Sequence, residues 1–422
     1  MTEPTNVVRL RQPDDVDDPL TEVLRAGARR LLAQAVELEA EAFLAARDDL
    51  RLPDGRPRLV RHGHGPERQI QTGIGLVPVS RVKIRDRGAG VEGERVRFSS
   101  AILPRWARRT KSLDALLPVL YLRGVSTGDF KEALAALLGK DAPNLSPSVV
   151  SRLTAEWQVE YERWQARDLS ARRYVYVWAD GVYLQARMED HAECMLVLIG
   201  ATPEGRKELV GFQVGVRESA QSWRELLVEV KRRGLTMAPE IAVGDGALGF
   251  WKALEEVWPA TRHQRCWVHK VANVLNKVPK SVQPSMKTDL REIYSAPERA
   301  AAEKAIAVFV EKYGAKYARA VECLTKDRER LLTFFDFPAE HWNHLRTSNP
   351  IESVFATVRH RTVRTKGALS SKTARLMVFK LVIAASRTWR RLKGENQLPK
   401  VVAGVRFQDG TEVIDGQSNR AA

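Results

Sequence analysis

Two short runs constrain this chain more than any other feature: Val177-Trp178-Ala179-Asp180-Gly181 and Ile241-Ala242-Val243-Gly244-Asp245-Gly246. Each is an apolar, strand-like stretch that closes in Asp-Gly. Around the first, Tyr174–Ala179, Val182–Arg187, Cys194–Thr202 and Glu208–Val216 read as successive strands, with a turn at Pro203–Gly205. Trp223–Arg233 then has an amphipathic helical pattern, and Glu240–Gly244 is another short strand. Strands followed by a helix and a further strand predict an α/β fold with a mixed sheet.

The two Asp-Gly pairs have two readings. Asp-Gly is common turn chemistry. Alternatively, Asp180 and Asp245 end adjacent central strands, so their carboxylates converge into a hard oxygen site suited to Mg²⁺. The glycines would then let a backbone or phosphodiester come close. Glu352 is the candidate third acid, in Ser348-Asn349-Pro350-Ile351-Glu352, where Ser348 or Asn349 can cap a helix and Pro350 suits its first turn. The positive end of a helix favours a carboxylate there. Between Leu345 and Gly394, Glu352 is the one acid among twelve Lys and Arg.

Charge points the same way. Lys+Arg number 68 against 52 Asp+Glu, a net of +16 in 422 residues, with an isoelectric point near 9.9. Such an excess selects an anionic polymer as partner, nucleic acid before an acidic membrane surface. At 44% hydrophobic the chain is not disordered throughout. Three cysteines do not make a disulfide framework, which predicts a reducing cytosol. The N-terminus lacks the apolar core of a secretory signal, and no run is long and apolar enough to span a membrane.

Before the strand-rich block, residues 1–18 read as a loose tail and Thr21–Ala46 as a helix. Residues 48–65 read as a loop, Gln69–Ile84 as a β-ribbon, and residues 85–94 as a charged linker. Leu113–Leu122, Thr127–Leu138 and a segment opening at Ser146-Pro147 read as helices. The last two are joined by Gly139–Leu145, as in a helix-turn-helix beside the basic flank Arg105, Arg108, Arg109 and Lys111. Beyond it, residues 271–343 are helical in pattern, as are Ile351–Val363 and Thr373–Leu392, and the last thirty residues read as frayed. Arg359, Arg361, Arg364 and Lys366, just after Glu352, are candidate phosphate contacts. Trp251, Trp267 and Trp342 are expected in the core, with base stacking as the alternative. Cys266 and His269 have half the spacing of a zinc site, but no second close Cys/His pair completes it, so zinc is not expected. His62, His64, His191, His341, His344 and His360 are expected in loops or at the surface.

Taken in order, Asp-Gly-Val-Tyr (180–183), Val-Gly-Asp-Gly (243–246), Arg-Cys-Trp-Val-His-Lys (265–270) and Ser-Asn-Pro-Ile-Glu-Ser (348–353) resemble the Mutator-type transposases of bacterial insertion sequences. The resemblance runs from about residue 65 to Gly394. One departure is Pro350, where a small residue such as Ala is expected. The resemblance implies a ribonuclease H-like mixed sheet carrying Asp180, Asp245 and Glu352 as a DDE triad, with an all-helical insertion between the second Asp and the Glu. It implies two Mg²⁺, replaceable by Mn²⁺, and puts Cys266 and His269 in support of the active site without zinc. The partners implied are double-stranded DNA, both the terminal inverted repeats and the target, and a second copy, as a homodimer or higher oligomer on DNA. The location implied is the bacterial cytoplasm, with no membrane.

The domain layout expected is 1–111, N-terminal helix and basic ribbon, and 112–170, helix-turn-helix-like, both DNA-binding. The catalytic core occupies 171–270 and 344–394, interrupted by the insertion at 271–343, and a tail covers 395–422. Two alternatives remain open: a helix-turn-helix regulator with an α/β ligand domain, and a ribonuclease H-like nuclease or resolvase that cuts without joining.

Overall fold

A computed structural model describes residues 19–88, 95–123, 147–184, 193–215, 218–246, 248–365 and 371–414. The chain divides into two compact units, residues 1–153 and 154–422.

In the first unit, helix α1 (Pro19–Ala45) precedes strands β1 (Leu59–His64), β2 (Arg68–Thr72), β3 (Gly75–Val79) and β4 (Val82–Asp86). β2 and β3 form a hairpin, and β1 pairs antiparallel with β4. β1 falls within the stretch expected to be a loop. Its strand is held by long-range pairing with β4 rather than by local pattern, because Arg61, His62 and His64 carry little strand propensity of their own. Val36 and Ala40 of α1 pack with Ile70, Val77, Val79 and Val82 into a small core. α2 (Lys111–Arg123) matches the expected helix. The expected second helix of the helix-turn-helix, Thr127–Leu138, and its turn lie outside the described residues.

The second unit is built on a five-stranded mixed sheet. Its strands are β5 (Tyr176–Leu184), β6 (Glu193–Ala201), β7 (Lys207–Gly215), β8 (Ile241–Gly244) and β9 (Arg262–Arg265), in the order β7-β6-β5-β8-β9. The first three are antiparallel, while β8 and β9 run parallel to β5. α3 (Pro147–Gln165) leads in, as Ser146-Pro147 predicts, and its Tyr161 ring packs on Phe212 of β7. α4 (Ala220–Arg232) and α5 (Leu248–Val257) join the core cluster that contains Val177 and Ala179. A helical block follows: α6 (Trp267–Leu275), α7 (Gln283–Tyr294), α8 (Arg299–Gly314), α9 (Ala318–Thr325), α10 (Arg328–Leu332) and α11 (Trp342–Leu345). α12 (Asn349–Thr365) and α13 (Ser371–Ser386) return to the sheet. Ile351, Val354, Phe355 and Val358, at helical spacing, are all fully buried on α12, which explains why it lies across β5 and β6.

Three further sequence expectations are corrected here. Asp180-Gly181 is not a turn: β5 runs unbroken through it, paired with β6 from Tyr176↔Ala201 to Leu184↔Glu193. The long antiparallel partner supplies hydrogen bonds for the whole strand and overrides the local turn preference. The C-terminal thirty residues are not wholly frayed, since α14 (Leu398–Val402) and a hairpin of β10 (Phe407–Gln408) and β11 (Thr411–Glu412) lie within them. His341 is not at the surface. It is fully buried between Tyr176, whose hydroxyl is 2.7 Å from Nδ1, and the Gly394 carbonyl, 2.8 Å from Nε2. The carbonyl accepts from Nε2–H, and burial lowers the ring's pKa and favours the neutral form, whose Nδ1 accepts from the phenol.

Candidate functional site

The parallel register of β5 and β8 sets the first two acids. Trp178↔Val243 and Ala179↔Gly244 are its last pairs, so Asp180 and Asp245 stand at one level, one residue further on. Asp180 is 9% exposed, and its Oδ1 accepts a hydrogen bond from the Gly181 amide at 2.8 Å. The carbonyl of Asp245 is fixed twice, by the Trp251 indole N–H at 2.9 Å and by Arg265 Nη1 at 2.7 Å. Burial above all, and then the charge of Asp245, pushes the Asp180 carboxyl up to about 6, with Glu352 adding to the rise and His269 opposing it.

Glu352 reaches this place from α12. The Ser348 carbonyl accepts from the Ile351 and Glu352 amides at 2.8 and 3.1 Å, starting the helix. The Ser348 hydroxyl lies 3.0 Å from Glu352 Oε1 and 3.3 Å from Cys266 Sγ, and the Ser348 amide donates to the same sulfur at 3.3 Å. Ser348 is fully buried, so it ties the start of α12 to the start of α6. The donor atoms of Cys266, His269 and Glu352 lie within 4.8 Å of one another. His269 is raised to about 9, chiefly by Cys266, with Asp180 and Asp245 adding to the effect. Burial pushes the Cys266 thiol up, but His269 and Ser348 outweigh it and hold the thiol below its ordinary value.

The structure therefore gathers Cys266, His269 and Glu352 within 4.8 Å of one another and sets Asp180 and Asp245 near enough for their charges to act on His269. It also adds a residue the sequence did not single out: Glu218, just before α4. Burial first, then Asp245 and Asp180, raises its carboxyl to about 7. No motif marks Glu218, because its place depends on how α4 meets the ends of β5 and β8.

The remaining sequence candidates separate. Arg359 is exposed on α12, the backbone of Arg361 and Arg364 continues that helix, and Lys366 lies outside the described residues. Arg105 and Arg108 are exposed and Arg109 half-buried, all in the first unit, where the Arg108 carbonyl accepts from the Gln71 amide at 2.9 Å. Trp251 and Trp267 are buried, as expected. Trp342 is half-buried against Phe334 and Phe335 and donates to the Phe337 carbonyl at 2.9 Å. The tryptophan open to a base is Trp106, 83% exposed, with the Arg105 guanidinium 5.4 Å from its ring. The adjacent arginines were the signal for it.

Residues 1–391 match the family described as Transposase, Mutator family. The chain is 50% identical over 298 residues to the transposase for insertion sequence element IS6120 of Mycolicibacterium smegmatis, covering 71% of this chain and 92% of that protein. It is also 50% identical over 287 residues to the transposase for insertion sequence element IST2 of Acidithiobacillus ferrooxidans, covering 66% of this chain and 95% of the relative. The similarity to the transposase for IS905 of Lactococcus lactis is 28% over 356 residues, covering 84% and 85%.

Proposed function

This chain belongs to the Mutator family of transposases, and on that premise we propose that Asp180, Asp245 and Glu352 are its catalytic triad. It acts on DNA, cleaving and transferring strands, so the regulator and the nuclease without joining are not favoured. The observation that carries the triad is the shared level of Asp180 and Asp245 beyond the last β5–β8 pair, with Glu352 delivered beside them by α12. The sheet order, three antiparallel strands followed by two parallel ones, supports a ribonuclease H-like core. The helices between β9 and α12 then correspond to the insertion at 271–343, although α6 already begins at Trp267.

The donor set fits a divalent metal of the hard class, Mg²⁺ in our reading, with Mn²⁺ able to replace it. Asp180 is nine-tenths buried, and the one cation whose charge offsets it among the described residues is the His269 imidazolium. Burying charged oxygens this way is costly unless a cation joins them. Asp180, Asp245 and Glu352 would hold the ions. When bound, such ions activate the attacking oxygen and stabilise the leaving one at phosphorus. Asp180 and Asp245 present oxygens from rigid strands. Ser348 keeps the Glu352 carboxylate oriented, and Cys266 and His269 brace the start of α6 beside it. Trp251 and Arg265 hold the Asp245 backbone still. Arg359, Arg361, Arg364 and Lys366, with Arg105, Arg108 and Arg109, grip phosphates of the terminal inverted repeats and the target. Joining two ends requires at least a pair of subunits on DNA, and the default closed arrangement is a symmetric dimer.

Incubation of Asp180→Asn, Asp245→Asn and Glu352→Gln proteins with inverted-repeat DNA and Mg²⁺ tests this reading. We expect cleavage and joining to fall by about a hundred- to a thousandfold or more, the scale on which transition-state charge stabilisation is lost, with DNA binding retained. Near-normal cleavage in any one variant removes that residue from the triad.

A further inference from the structure

Glu218 has no part in the triad, yet two glycines are arranged around it. A Cβ on Gly181, the residue after Asp180, would lie 2.7 Å from the Glu218 side-chain Cδ, so the carboxyl rests directly on that glycine. A Cβ on Gly249, in the first turn of α5 just after Asp245-Gly246, would collide with the Glu218 carbonyl oxygen and lie 2.7 Å from the Ala220 amide. The segment at Glu218 is thus seated between the strand that carries Asp180 and the helix that follows Asp245, and only residues without side chains leave it room.

The simplest use for an acid at a helix start is to satisfy amides there, but that role is taken. Ser219 is the N-cap of α4, and its Oγ accepts the Ser222 amide at 3.1 Å. The Glu218 carboxyl instead lies against Gly181, the residue after Asp180, where the charges of Asp245 and Asp180 act on it. No Lys or Arg forms an ion pair with Glu218 or Asp180 among the described residues, and the cation whose charge acts on both is His269. Two like-charged carboxylates held close together and opposed by a single imidazolium are what a divalent ion would relieve.

We propose that Glu218 is a fourth carboxylate of the metal centre, a ligand to the ion held by Asp180 and Asp245, for which Gly181 and Gly249 make space. This rests on the triad reading above and deepens it.

The test is Mn²⁺ binding to the full chain without DNA, by calorimetric titration, in Glu218→Gln, Gly181→Ala, Asp180→Asn and Asp245→Asn proteins. Gly181→Ala changes no charge. Its Cβ meets the Glu218 side chain at Oε1, Cδ and Cγ, so it tests position independently of charge. The expected result is at least a tenfold loss of Mn²⁺ affinity in both Glu218→Gln and Gly181→Ala, comparable with the 10–100-fold scale for disturbed metal shells, and a larger loss in the aspartate variants. Unchanged affinity in both Glu218→Gln and Gly181→Ala, with loss in the aspartate variants, overturns the role of Glu218 and leaves the triad standing. Unchanged affinity in all four overturns the triad reading as well. A Glu218→Gln chain that failed to fold would be recognised by its melting curve, and Gly181→Ala then decides.

Discussion

Asp86, at the end of β4, accepts both Arg58 Nε and Nη2, at 2.9 and 3.0 Å, and the Gly88 and Val96 amides, each at 2.9 Å. Arg58 above all holds its carboxyl well down, at about 2 against an ordinary 3.8. A carboxyl with a lowered folded value gives stability that is fully present above about pH 4 and is lost as pH falls toward 2. Asp86→Ala leaves the guanidinium and two amides without their acceptor, so it is expected to cost about 2–4 kcal/mol at pH 7. Its deficit relative to the unchanged chain should shrink below pH 4, and urea unfolding at pH 7 and pH 3 measures both values. Nothing in the sequence around Asp86 announces this pairing: Arg58 is 28 residues away, and only the β1–β4 register brings the two together.

At the scale of elements, Arg-Cys-Trp-Val-His-Lys (265–270) is a junction between sheet and helices. Arg265 ends β9, and Cys266 opens α6, where its amide donates to the Gly244 carbonyl at 2.8 Å. Arg265 and Lys270, both almost fully buried, converge on Asp327, just before α10. Lys270 also donates to the Cys323 carbonyl at 2.9 Å, and the Trp267 indole to the Leu331 carbonyl at 2.9 Å. Asp327→Ala leaves two buried cations short of an anion and is expected to destabilise the chain by about 3–5 kcal/mol. Cleavage should weaken too, because Arg265 also holds the Asp245 carbonyl. Thermal melts with a cleavage assay check both, and an unchanged melting curve would contradict the junction. The motif was visible in the sequence as chemistry, but its mechanical part was not. β9 itself, Arg-His-Gln-Arg, lacks every strand signal and forms because β8 offers a parallel edge.

For the molecule as a whole, net charge and the two compact units argue for divided labour. We expect end recognition to lie in residues 1–170, around the exposed Arg105, Trp106 and Arg108. That fragment should retard inverted-repeat DNA more strongly than random DNA, with affinity falling steeply as salt rises. Equal retardation of both DNAs would place recognition elsewhere. No helix of the described residues is long and apolar enough to cross a membrane.

The sequence by itself determined the strands and helices whose apolar spacing exceeds their noise, including β6, β7, α4 and α12, because period-2 and period-3.6 burial is written locally. It also singled out Asp180, Asp245, Glu352, Cys266 and His269, because acids and metal-type donors are conspicuous beside apolar runs or amid basic residues. Tertiary structure alone decided that Asp180 lies inside a continuous strand, that His341 is buried and neutral, and that Glu218 joins the acids. Each of these depends on a partner far along the chain: β6 for Asp180, Tyr176 and Gly394 for His341, Gly181 and Gly249 for Glu218. Long-range pairing and close backbone approach leave no periodic mark on the residues that experience them, so they become legible only when the chain is folded.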